Sequence, residues 1–221
     1  MDIDEIMRTT WANRRYLPAP VPGEVIYRVL DNARFAPSGG NRQPWRVVVV
    51  TDAARRRQIR DLYLTVWRPY HAGLNAPTSD ANHRTRVSRT SLTAVDAFAK
   101  AMHQVPVHLV VCVELAQLQL TDSALDRVSI VGGASIYPFI QNILLASRAE
   151  GLGAALTTLI CRCEPDIREL LHIPASFAVA GLVTIGYPAE PIPRRLTRNT
   201  VEEFTSVDDF DAAPLTGSAE A

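Results

Sequence analysis

The sequence is nearly free of lysine. Lys100 is the only one among 23 basic residues, and the rest are arginine. There is no net charge either: 23 acidic residues balance the 23 basic ones. That balance points to neither nucleic acid nor an anionic membrane surface as a partner. An arginine-dominated basic set is compatible with a nucleotide ligand, because the planar guanidinium fork matches phosphate, but it does not identify one. Cysteine is scarce. Cys112, Cys161 and Cys163 form no disulfide framework, and the C-x-C pair has no second Cys/His pair to complete a zinc site. A reduced, cytoplasmic protein is the expectation. The start, MDIDEIMR, is acidic and lacks an apolar stretch, so no secretory signal is read there. His71, His83, His103, His108 and His172 show no metal-ligand spacing, and there is no Gly-x-Ser-x-Gly elbow. Metal: none is thus the expectation, and no acid–base pair stands out.

What is present fits one domain with a sizeable core: 221 residues, 47% hydrophobic and 21% charged. Residues 128–147 carry no charged side chain and reach the length of a membrane span. They also contain Gly132, Gly133, Pro138, Gln141 and Asn142, which suit a helix buried against protein better than one in lipid. The predicted elements are a short helix over 2–9, an amphipathic helix from Pro22 to about Phe35, and a strand over Trp45–Thr51. A helix over Ala53–Leu64, capped by Asp52, follows. Further on come a helix over Thr90–Met102, a strand over Val107–Val113 and a central helix from about Ser129 to Glu150, stopped by Gly151. Ala154–Leu159 reads as extended. A short helix opened by Pro165 precedes a strand over Ala178–Tyr187. Helices and strands without strict βαβ alternation indicate an α+β fold. Residues 1–210 form the single domain, about 60–105 are the least regular part and the natural lid, and 211–221 are expected to be a disordered tail. The central helix is apolar nearly all round, so a second subunit is expected to cover part of it.

Three groups of residues carry the candidate chemistry. The first is APSGGNRQPW, residues 36–45, between a helix and a strand. Pro37 and Pro44 bracket Ser38, Gly39, Gly40, Asn41 and Gln43. The glycines permit backbone angles closed to other residues, and the hydroxyl and amides both donate and accept hydrogen bonds. This is either a ligand-facing loop suited to a polar ring or sugar-alcohol chain, or an ordinary helix-to-strand connection. The second is GLGAAL, residues 151–156. It follows a helix and has Leu156 where a dinucleotide fingerprint has its third glycine, so it does not fit a Rossmann turn. Close backbone approach to a flat ligand and a plain helix cap leading into a strand both account for it. The third is a pair of arginine clusters, Arg14 with Arg15 and Arg194, Arg195 with Arg198. They are either solvated surface groups or two halves of a phosphate clamp.

APSGGNRQPW resembles a motif of the FMN-dependent nitroreductase family. The resemblance extends to RTTWANRRYLPAPVPGEVIYRVLDNARF (8–35), YPFIQNILLASRAEGLGAALTTL (137–159) and GYPAEPIPRRLTRNTVEEF (186–204), in the family's order. It implies a nitroreductase-like α+β fold: a central mixed or antiparallel sheet packed by helices, with a long buried helix at a dimer interface. It implies FMN as cofactor, NADH or NADPH as hydride donor, and ping-pong reduction of nitroaromatics, quinones or similar small acceptors. The chemistry would lie on the flavin N5, with no catalytic side chain. The resemblance places Arg14 and Arg198, with Arg195 and Arg15 in support, at the flavin phosphate. It places Pro37, Ser38, Gly39, Asn41 and Gln43 at the polar edge or ribityl chain of the partner subunit's flavin, and Leu156, Thr157 and Thr158 along the ring. The chain departs from the family at Trp11 and Ala12, which cannot bond a phosphate as a basic residue and a hydroxyl would. Arg15 or Asn13 compensates, or the phosphate is held loosely. The rival reading is a storage or sequestering protein that binds flavin or a deazaflavin without turnover, with Tyr63, Trp67 and Tyr70 occluding the site.

Overall fold

A computed structural model describes residues 1–74, 89–194 and 196–217, except for the side chains of 89–91. Four strands form one sheet: β1 (Trp45–Val50), β2 (Val107–Glu114), β3 (Gly153–Thr157) and β4 (Phe177–Gly186). Their order is β1-β2-β4-β3 and every pairing is antiparallel. The sheet is therefore antiparallel throughout and not mixed.

β2 and β4 occupy the middle, and both faces of the sheet are covered. Alternate residues of β2 therefore enter different cores. Val107, Leu109, Val111 and Val113 join α2 (Gly23–Ala33) and α5 (Tyr137–Ala149) on one face. Val110 and Cys112 join α3 (Ala53–Leu74), α4 (Arg89–Ala101) and α6 (Glu164–Leu171) on the other. A strand buried on both sides reads as a near-continuous apolar run, which VHLVVCV does apart from His108. A bulge changes the phase of β4: Val111 faces Gly181 while Cys112 faces Val179, so Ala180 is the extra residue. Glu164 holds that kink by accepting the Val179 amide at 2.8 Å.

Two helices differ from their sequence reading. α5 begins at Tyr137, not at Ser129. Gly132 and Gly133 fall in a separate 3-10 turn, Val131–Gly133, and Pro138 takes the first helical turn, where its missing N–H costs nothing. The helix is also not enclosed by its own chain, since Tyr137 and Gln141 are exposed. Among the described residues no helix is long and apolar enough to cross a membrane. α3 starts under the Asp52 cap, whose carboxylate accepts from the Arg55 amide at 2.8 Å, but it runs ten residues past Leu64 and through Pro69. Buried Tyr63 and Trp67 hold this extension, Trp67 by donating its indole N–H to Asp96 at 2.9 Å. Of the lid expected over 60–105, residues 75–88 lie outside the described residues, as do 218–221 of the tail.

His108, the second residue of β2, is fully buried, with Nε2 2.8 Å from the Met102 carbonyl. Nδ1 has no partner. Burial pushes its pKa down to about 4. The unfolded chain therefore binds a proton near pH 6.5 that the folded chain refuses. Stability from this group is complete above pH 6.5 and is lost as pH falls towards 4. Between pH 7.5 and 5 it accounts for about 2 kcal/mol. Urea denaturation at the two pH values should show this loss in the wild type and a flatter dependence in His108→Leu; equal pH dependence would contradict it.

Candidate functional site

The edge strand β3 builds the first half of the site. β4 covers one side of it, and on its outer side the amino-terminal segment pairs only at the start, through an Ala12–Ala154 bridge and an Asn13 amide bond to Ala154 O of 2.9 Å. Beyond that bridge an edge strand offers main-chain N–H and C=O groups to a ligand. Leu156, Thr157 and Thr158 lie there and line a cavity of about 430 Å³. α3 supplies its aromatic wall, Tyr63, Trp67 and Tyr70, while Val95 and Phe98 come from α4. Tyr63 and Trp67 stack with centroids 6.1 Å apart. The Tyr63 hydroxyl lies 3.1 Å from Thr157 Oγ1, and burial pushes its pKa up, so it is a neutral hydrogen-bonding group at neutral pH. Among the described residues two guanidiniums reach the cavity, Arg14 and Arg162, and no carboxylate lines it.

The amino-terminal segment delivers Arg14 because its neighbours are fixed. Buried Asn13 donates to the Arg15 carbonyl at 3.1 Å, and Tyr16 donates to the Asn13 carbonyl at 2.7 Å. Asn13 is thus committed to the backbone. Arg15 is turned away and pairs with Glu190 at 2.6 Å on the surface. Thr10 spends its hydroxyl on the Ile6 carbonyl. Of the amino-terminal candidates, only Arg14 faces the cavity.

The 36–45 loop lies in a different cavity. Pro37, Ser38 and Gly39 line a space of about 250 Å³ with Gln117, Gln119 and Ser135. The two cavities share no lining residue. Gly40, Asn41 and Gln43 all take left-handed backbone angles, with φ of 60°, 53° and 50°. Non-glycine residues adopt these only when their surroundings impose them. Here Ser38 Oγ accepts the Gln43 amide at 3.0 Å, Ser135 Oγ accepts the Gly39 amide at 3.0 Å, and Gln43 donates to the Asn41 side chain at 3.2 Å. The loop is rigid and presents Asn41 and Gln43 to solvent.

One chain therefore brings together Arg14, Leu156, Thr157 and Thr158, and separately Pro37, Ser38 and Gly39, with Asn41 and Gln43 in the same loop. It does not join the two sets. Arg198 is exposed, bonds its own neighbour's carbonyl at 2.7 Å and lines neither cavity. Arg195 lies outside the described residues. Arg162, Tyr63, Trp67 and Tyr70 belong to the lining; Arg162 was missed as a candidate, because nothing in the sequence around it sets it apart. In GLGAAL the two glycines serve the fold, while Leu156 lines the cavity. Gly151 is the left-handed helix cap, at φ 75°. Gly153 makes a close approach, but to Asn13, whose side chain lies 2.4–2.7 Å from where a Cβ would stand.

Comparison with known proteins matches residues 7–187 to a family model described as the Nitroreductase family. A nitrobenzene nitroreductase of Ectopseudomonas oleovorans is 25% identical over 92% of this chain and 96% of its own. A 5,6-dimethylbenzimidazole synthase of Rhodospirillum rubrum is 29% identical over 81% of this chain and 80% of its own. A NADH dehydrogenase of Thermus thermophilus is 30% identical over 80% and 82%. Among solved structures, an iodotyrosine deiodinase bound to FMN and 3-iodo-L-tyrosine superposes with a TM-score of 0.68 at 22% identity, covering 90% of this chain and 96% of that one.

Gly153→Ala should cost about 1–3 kcal/mol, because the added methyl must displace the Asn13 side chain and its Cβ is tied to the backbone. Thermal or urea unfolding measures this. A neutral substitution would show that Asn13 yields and is not what holds Arg14 in place.

Proposed function

The chain belongs to the nitroreductase family, and on that premise we propose that it is an FMN-dependent oxidoreductase that passes hydride from NADH or NADPH to a small electron acceptor. The observation that supports this most is the edge of β3: exposed main chain and threonine hydroxyls beside an arginine, facing an open cavity of about 430 Å³ walled by aromatic side chains. These residues fit a flavin. A flat ring lies against Leu156–Thr158, the edge main chain meets its heteroatoms, and Arg14 offers positive charge to its pyrimidine edge or phosphate. Bound flavin supplies the hydride carrier, which protein side chains lack. The chain's own part is to bind, orient and exclude water. In the balance of the reaction a quinone takes a hydride from NAD(P)H and a proton from solvent and becomes the hydroquinone. A nitroaromatic takes the same hydride and one proton from solvent, loses one oxygen as water and becomes the nitroso compound, while NAD(P)H becomes NAD(P)+.

The second part of the proposal is a homodimer in which the 36–45 loop of each subunit completes the partner's site. The split of the site residues between two cavities supports it. So does the apolar surface: Phe210 is 94% exposed, Val128 86% and Ile130 75%. Side chains of this kind gathered in the 115–137 and 201–215 stretches mark a surface that another chain covers. Arg198 lies three residues before the second of these stretches and would reach a phosphate in the assembled dimer.

Purified protein supplied with FMN should show a bound-flavin absorption spectrum and oxidise NADH or NADPH with benzoquinone. A colourless protein that binds no FMN would end the reading; flavin binding with no oxidation would turn it towards storage. Arg198→Ala should weaken FMN roughly 10- to 100-fold, the loss of one charge-assisted bond, while riboflavin, which has no phosphate, changes little. Arg194→Ala should leave both unchanged. Equal losses for FMN and riboflavin would mean that Arg198 supports the fold instead.

A further inference from the structure

The cavity beside β3 has a charge pattern that the transfer of hydride does not require. Among the described residues Arg14 and Arg162 face it, no carboxylate does, and Arg162 makes no ion pair. Arg162 lies on the 3-10 turn Leu159–Cys163 that continues directly from the ring-facing residues Leu156–Thr158. That turn is pinned to the sheet. The Cys161 amide donates to the Thr158 carbonyl at 3.0 Å, and the Cys161 thiol donates to the Val179 carbonyl at 3.0 Å. Next to it, Glu164 accepts the Val179 amide at 2.8 Å. The guanidinium therefore starts from a fixed base. Its head is positioned as well, 5.6 Å over the Tyr70 ring. Tyr70 in turn leans on buried Trp67, centroids 6.0 Å apart, and Trp67 is held by Asp96.

We propose that Arg162 makes this site selective for an electron acceptor that is both aromatic and anionic: an aromatic carboxylate whose charge pairs with the Arg162 guanidinium while its ring lies against the Tyr70 and Phe98 side of the cavity. The inference rests on the oxidoreductase reading above and names the substrate class of that site. Arg162 is exposed at the cavity rim, and a carboxylate matches its guanidinium fork with two parallel hydrogen bonds. Tyr70 is a positioning residue, acting through Arg162. A neutral acceptor of the same shape gains the ring contact alone.

The test compares 4-nitrobenzoate with its methyl ester, a neutral isostere. Each is titrated calorimetrically into FMN-supplemented protein without a hydride donor, so that binding is read without turnover. The wild type should bind the carboxylate more tightly than the ester. Arg162→Gln should cut the carboxylate-to-ester preference roughly 10- to 30-fold, and Arg162→Lys should restore part of it, since lysine keeps the charge but not the fork. A preference that is the same in wild type and Arg162→Gln, or a wild type that prefers the ester, overturns the inference. NAD(P)H oxidation with benzoquinone, run on the same wild-type preparation, separates the two levels. Turnover without a carboxylate preference removes the role of Arg162 and leaves the oxidoreductase reading standing. A carboxylate preference lost in Arg162→Gln without any turnover keeps the anion site and removes the oxidoreductase reading.

Discussion

β2 and β4 are apolar on both faces, and a sheet of that kind must be covered twice. α2 and α5 cover one side, α3, α4 and α6 the other. With the faces taken, the edges are what remain for a ligand. The β3 edge is left partly open because the amino-terminal segment pairs only as far as Ala154. The helix that covers the β3 end of the second face, α3, also carries Tyr63, Trp67 and Tyr70, so packing the core and walling the cavity are done by one element. The same side chains that stabilise the fold thereby shape the site.

The two halves of the site are held by different means. The 36–45 loop is locked internally, with three left-handed residues satisfied by Ser38, Ser135 and each other. Such strain persists where the surroundings impose it, and it fixes which groups the loop presents. The β3 half is locked by Asn13, which fills the space over Gly153 and sets the direction in which Arg14 leaves the backbone. In one chain the two halves open into separate cavities. Their complementarity, a ring-facing edge and a polar amide loop, is what the dimer proposal joins.

Much of this was legible in the sequence. The amphipathic spacing of Ile26, Val29 and Ala33, the Asp52 cap, the Gly151 stop and the largely apolar runs of β2 and β4 all correspond to observed elements. So did the family, because four motifs stand in its order. Two things were not legible. The length of α3 was hidden by Pro69 and a polar surface, since only tertiary contacts of Tyr63 and Trp67 carry the helix on. The partner of Gly153 was hidden because a glycine reports that something comes close but not what. Arg162 escaped notice for a related reason: a lone arginine in C-R-C has no pattern, and only the cation over Tyr70 distinguishes it.

The central claim is that a flavin site needs β3 of one chain and the 36–45 loop of another. Subunit complementation tests it most directly. One variant carries Ser38→Ala with Asn41→Ala, the other Arg14→Ala with Thr157→Ala. Each alone should bind FMN weakly, both sites of each dimer being impaired. Mixing the two under subunit exchange should create, in every mixed dimer, one site built from the two intact halves, and tight FMN binding should reappear in the titration. A mixture that binds no better than the separate variants would contradict the account, because it would place both halves of the site in the same chain.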